Sequence, residues 1–268
     1  MLRPEPPLAH WACAVDWTQP WLQPYRASGE PVAAQLRHGL ALHDALNGNA
    51  SGCHTTGAVE QAPVPVRFVA QRMLQPGASY ERHIADTGCC PTRDNLHDFF
   101  NGLVWMRWPQ AKQQLSALQA GAIGSHRVGA QRGALRDALT LFDENGALLM
   151  APRDMWDALC ARDWKTLFVA HRARWAEARL LVFGHALLEK LVQPRKPITA
   201  HVYRVPHAFE SIAEVDHWLA RAMTAGAWAN KPFTPLPVLG VPGWWSGNED
   251  DSFYDDASVF RPKVHPQP

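Results

Sequence analysis

The stretch LHDFFNGLVWMRWP, residues 96–109, constrains this chain more than any other. An α-helix turns about 100° per residue, so Leu96, Phe99, Phe100, Leu103 and Val104 gather on one side as a broad stripe that must enter a core. His97, Asn101 and Trp108 gather on a second side, with Asp98 and Trp105 just beyond them. A solvated side would carry Lys, Glu and Gln, whereas two Trp side by side would expose a sizeable apolar area. The second side is therefore expected to be covered as well. Thr92 or Asp94 is expected to cap this helix and Pro109 to interrupt it, with a second helix continuing to about Ala122.

If covered, His97, Asp98 and Asn101 need partners inside, because an unpaired buried polar group costs about 1–3 kcal/mol. One reading is a satisfied internal network or a small-ligand pocket in a non-catalytic protein. The other is an enzyme site, with His97, Asp98 and Asn101 as catalytic groups and Arg93, Trp105 and Trp108 around a substrate. A second constellation favours the enzyme: in FGHALLEKL, 183–191, His185 and Glu189 stand four apart and share a helix face, and His201 follows in a strand. Two histidines and a carboxylate are the ligands of many hydrolytic zinc and non-haem iron sites. His185, Glu189 and His201 are accordingly assigned to a divalent metal ion, and the leading expectation is metal-assisted, hydrolase-like chemistry. The HxxxE spacing is permissive only, since it recurs by chance far more readily than HExxH.

Charge and motifs exclude several other classes. With 26 basic and 25 acidic residues the net charge is +1, so no global field draws nucleic acid or an anionic membrane to the chain. There is no GxxxxGK[ST] or GxGxxG phosphate loop and no GxSxG elbow. The order of His83, Asn95, Asn101 and Lys112 resembles a His-Me-finger nuclease, but the hairpin, the flanking cysteine pair and the basic excess of that motif are missing. Five cysteines without a CxxC pair read as reduced thiols of a cytoplasmic protein, and Cys53 and His54 lie in a Gly-flanked loop. The N-terminus has no secretory pattern, and the most apolar segment, 178–192, is charged and too short to span a bilayer.

The remaining patterns predict one helix from Gly29 to about Asn47, a strand within 63–70, a helix over 77–87, and a hairpin over 136–152 turning at Glu144, Asn145 and Gly146. Helices are expected at 153–163, at 166–192 in one piece or two, and at 210–224, and a strand at 198–205. Together these predict a helix-rich α+β domain over 1–229 with a small, mostly antiparallel sheet, and a Pro/Gly-rich tail, 230–268, packed on it. Twelve Trp against four Tyr fit a heavily packed core.

YERHIADTG, PTRDNLHDFFNGLVWMRWPQAK, FDENGALL, GHALLEKL, TAHVYRV, LPVLGVPGWW and FYDDASVFRP resemble an uncharacterised bacterial family, a domain of unknown function. The HDFFN stretch followed by Trp105, Pro109 and Lys112 is the most specific part. The resemblance implies a bacterial cytosolic protein whose segments belong to one unit, and it assigns no activity, partner or site residue.

Overall fold

The computed structural model of the chain describes residues 11–50, 62–123, 130–206 and 209–263. The Cys53/His54 loop lies outside them. The fold is helix-rich α+β with two small sheets, and the chain divides into two compact units. The first takes in the described residues of 1–18, 22–140 and 209–231, and the second those of 19–21, 141–208 and 232–268.

The first unit begins with α1 (Arg26–Arg37) and α2 (Leu42–Ala50). The single helix expected here is broken at Gly39, whose φ of 86° lies in the left-handed region that glycine adopts without strain. Then β1 (Arg67–Ala70) pairs in parallel with β2 (Cys89–Thr92), and α3 (Tyr80–Thr87) crosses between them. His83 thus sits on a helix beside a parallel pair, not on the antiparallel hairpin a His-Me finger uses. The central helix, α4 (Leu96–Arg107), is capped by Asn95, whose side chain accepts from the backbone of Asp98, in place of Thr92 or Asp94. It is buried nearly all round from Asp98 to Met106, as its two-sided pattern requires. It stops at Trp108, and α5 (Pro109–Ile123) starts with proline at its first position, where the missing N–H costs nothing. On α5 packs α9 (Ile212–Ala222), opened by a Ser211/Glu214 capping box, with the short α10 (Ala225–Trp228) after it.

The second unit is built on a four-stranded sheet in the order β4 (Arg179–Val182), β3 (Gly146–Met150), β5 (Thr199–Val205), β6 (Thr234–Pro237). Two of its three pairings are antiparallel, and β3 runs parallel to β5. The five residues of β3 are all buried, as befits an inner strand. After β3 come α7 (Arg153–Ala161), two irregular turns, β4 and the short α8 (His185–Lys190).

Two expectations fail here, each for its own reason. The hairpin over 136–152 is α6 (Ala130–Asn145) running straight into β3, and the helix over 166–192 contains β4. In α6, Leu135, Ala138, Leu139 and Phe142 are buried at i, i+3, i+4 and i+7, a helical spacing that the Glu-Asn-Gly turn signal masked. In β4, the run Leu180–Leu181–Val182 is too short for periodicity to distinguish strand from helix, and pairing with β3 decides it. The separate β1–β2 pair also means that 67–70 does not join the main sheet.

Candidate functional site

Within the first unit, α4 carries a closed polar network. Both oxygens of Asp98 are engaged by Arg93: Oδ2 accepts from the Arg93 backbone N–H at 2.7 Å and from Nε at 3.2 Å, and Oδ1 accepts from Nη2 at 2.9 Å. This two-pronged pairing locks the chain just before the helix, with the carboxylate buried and the guanidinium edge exposed. One turn on, Asn101 Oδ1 accepts from Lys112 Nζ at 3.0 Å and Nδ2 donates to the Tyr80 hydroxyl at 3.1 Å, so both ends of the amide are used. The Tyr80 hydroxyl also lies 3.1 Å from Cys90 Sγ, and burial pushes that thiol up to about 11, outweighing the opposite pull of its bond to Tyr80 and of the Lys112 ammonium.

Lys112 is almost wholly buried and its ammonium stands 5.2 Å from the centre of the Trp105 ring, a cation–π contact in a dry setting. Trp105 Nε1 is buried and no described residue accepts from it. Trp108 is fully buried, and its Nε1 donates at 2.8 Å to the Tyr25 hydroxyl. Burial lifts Tyr25 well above the usual phenol range, so it stays protonated. Trp108 therefore fills the core. His97 is half-buried on the same helix.

The second unit holds His185, Glu189 and His201. Phe183 and Gly184 both donate to the Gly146 carbonyl, at 2.9 and 2.8 Å, which draws the start of α8 onto the junction of α6 and β3. The approach needs glycine: a Cβ at Gly184 would lie 2.5 Å from the Glu144 carbonyl oxygen. His185 is thereby seated against the last turn of α6. Its Nδ1 lies 3.8 Å from Asp143 Oδ1 and its Nε2 lies 3.6 Å from Glu144 Oε1. The side chains of His185 and Asp143 are 6% and 15% exposed, Glu144 35%, so the ring is shielded and one carboxylate reaches towards solvent. Phe142 meets Phe183 in a tilted contact at 4.8 Å and stacks on Phe233 at 5.4 Å, so the residue before Asp143 is packed in an aromatic cluster. Asn145 Oδ1 accepts from Lys190 Nζ at 2.7 Å, tying α8 to the same junction. Glu189 is half-buried one turn along α8, and His201, also half-buried, stands on β5 opposite Gly146 and Pro235.

Of the residues expected to form a site, the structure thus brings together Arg93 with Asp98, while Asn101 takes Lys112 and Tyr80 as partners. The partners of His185 are Asp143 and Glu144, which sequence reasoning passed over as parts of a hairpin. The helical spacing from Leu135 to Phe142 was the signal that would have put Asp143 and Glu144 on one last turn. Nothing in the spacing of Tyr80, Cys90 and Lys112 marked them as neighbours of Asn101.

Residues 66–264 match the family model described as "Protein of unknown function (DUF3025)". The chain belongs to the DUF3025 family. The DUF3025 match takes in β1 through β6 and leaves α1 and α2 before it, so both candidate clusters fall inside it. No curated protein and no solved structure matches the chain. Among the described residues no helix is long and apolar enough to cross a membrane.

Proposed function

We propose that the protein is an enzyme in which His185 and Glu144 hold a divalent cation for a hydrolytic reaction, with Asp143 orienting the histidine. The observation that carries this reading is the carboxylate at each ring nitrogen of a buried histidine. The contacts are too long for direct hydrogen bonds. Two donors about 2.0–2.1 Å from one tetrahedral ion sit about 3.3 Å apart, close to the 3.6 Å between His185 Nε2 and Glu144 Oε1. Asp143, on the Nδ1 side, would accept from the N–H there and turn the Nε2 lone pair outward once the contact closes around a cation, the usual support for a metal-binding histidine. A bound cation would lower the pKa of its water and polarise a substrate carbonyl or phosphoryl group. Glu144 is the more exposed of the two carboxylates, so a cation held there would be open to water. Glu189 and His201 are the residues to test next as further ligands. The unpaired thiols of Cys13, Cys89, Cys90 and Cys160 suit a reducing, cytoplasmic setting.

The test is elemental analysis of the purified protein after reconstitution with zinc or manganese. Near-stoichiometric metal in the wild type, lost in His185→Ala and in Glu144→Gln, supports the site, and Asp143→Asn should weaken metal binding by about 10–100-fold. Absence of retained metal after reconstitution overturns it. With the metal established, a panel of ester, amide and phosphoester substrates tests the hydrolytic step.

A second reading rests on a different observation, the saturation of Asp98 and Asn101 by Arg93, Lys112 and Tyr80. On it the α4 cluster is architecture and the protein is a non-catalytic binding or structural module. Asn101→Leu would then lower stability by about 2–4 kcal/mol, the cost of stripping an acceptor from a buried ammonium, and metal content would not change.

A further inference from the structure

Elsewhere in the second unit, the end of α7, the start of β5, β6 and the chain near residue 260 enclose a cavity of about 370 Å³. Arg162, Trp164 and Arg261 are among the residues that line it. Among the described residues neither arginine has a carboxylate at ion-pair distance, and the acids next to them in the chain are engaged elsewhere. Asp163 caps the Thr166 backbone and accepts its hydroxyl, and Asp256 holds Lys196 and the Ser258 hydroxyl. Two arginines at one cavity, neither of them in an ion pair among the described residues, favour an anion there.

The backbone and the walls point the same way. Arg162 adopts a left-handed conformation, φ 54° and ψ 36°, where it ends α7, a position at which glycine is the unstrained choice. A ligand-binding role for the long cationic side chain would account for arginine, where glycine is unstrained, beside this cavity. Arg261 is held by Trp164, whose Nε1 donates to its carbonyl at 2.9 Å, and by its own Nε, which donates to the Ser258 carbonyl at 3.0 Å. That leaves the terminal fork of Arg261 for a ligand, the geometry that grips a carboxylate or phosphate with two parallel bonds. Pro197, Pro235 and Pro237 complete the walls. They are stiff and have no N–H to offer, and the Thr199 hydroxyl already donates to the Pro197 carbonyl at 3.1 Å, so recognition of an anion falls to the arginines, while the rings supply apolar contact.

We propose that this cavity binds a small organic anion, a carboxylate or phosphate monoester on a flat apolar body, gripped by Arg162 and Arg261. The volume sits at the small end of ligand pockets, which run from about 300 to 1,000 Å³, and suits a single ring with its acidic group. The proposal does not depend on a metal at His185.

Calorimetric titration of the full chain with phenyl phosphate, benzoate, inorganic phosphate and neutral benzamide tests it. Either aromatic anion should bind, benzamide should not, and Arg162→Gln and Arg261→Gln should each weaken binding by at least about tenfold, the ordinary worth of one charged hydrogen bond. Arg153→Gln, which alters an arginine already paired with Asp157, should leave binding unchanged. Quenching of tryptophan fluorescence by phenyl phosphate, reduced in Trp164→Phe, gives a second readout that does not depend on the arginine variants. Benzamide binding as well as benzoate, unchanged affinity in both arginine variants, or no binding of either aromatic anion would overturn the proposal. Inorganic phosphate binding as tightly as phenyl phosphate would overturn its apolar half.

Discussion

Replacing Asp216 by Asn should remove a pH dependence of stability between about pH 4 and 6. Asp216 lies on α9, is 2% exposed, and accepts from the backbone N–H groups of Gln110 and Ala111 at 3.0 and 2.8 Å. Those are the second and third residues of α5, so the carboxylate caps that helix from its neighbour. Burial pushes the carboxyl from 3.8 up to about 6, outweighing the two amide bonds and the charge of Arg107, which pull it down. Such a displacement is worth roughly 3 kcal/mol. The folded protein therefore holds a proton that the unfolded chain has released, and stability present below about pH 4 is lost as pH rises through about 6. Asn keeps an acceptor oxygen and cannot ionise. In urea unfolding followed by tryptophan fluorescence at pH 4, 5, 6 and 7, the variant should gain about 3 kcal/mol relative to wild type across that interval. A constant difference would show that burial does not control this group. A gain of the opposite sign would show that the helix N-terminus holds the carboxylate ionised, and the reasoning would fail.

Three further outcomes follow from close contacts. A Cβ on Gly102 would meet Leu46 Cδ1 at 2.5 Å, so Gly102→Ala should destabilise the α2–α4 contact by about 1–3 kcal/mol, whereas Gly121→Ala, with nothing within 4 Å on α5, should stabilise by about 0.5–1 kcal/mol; thermal melts of the pair give opposite shifts. Asn248 is fully buried and its Nδ2 donates to the Leu239 and Val241 carbonyls at 2.8 Å each, so Asn248→Ala should cost about 2–4 kcal/mol in chemical unfolding. Modification of Cys90 by a neutral alkylating reagent should be far slower than that of exposed Cys13 at pH 8, because the Cys90 thiol is buried and pushed up to about 11; comparable labelling rates measured by mass spectrometry would refute the burial.

The candidate sites were legible to unequal degrees. The two-sided pattern of α4 announced that His97, Asp98 and Asn101 would be shielded, and Asp98 and Asn101 are buried. It carried no information on their partners, since Lys112 lies eleven residues from Asn101 and Tyr80 twenty-one. His185 was picked for its spacing to Glu189, a local relation. The carboxylates beside its ring come from α6, about forty residues earlier, through a β3–β4 pairing that no short window contains.

Taken alone, the sequence determined what depends on neighbours within a turn or two. The proline start of α5 and the burial of α4 follow from local hydrogen-bond and packing needs. Tertiary structure alone decided that 179–182 is a strand, that β3 pairs in parallel with β5, and that Asp143 and Glu144 meet His185. The reason is physical. A helix closes its own hydrogen bonds within four residues, whereas a strand and a cluster of charges take their partners from wherever the chain returns.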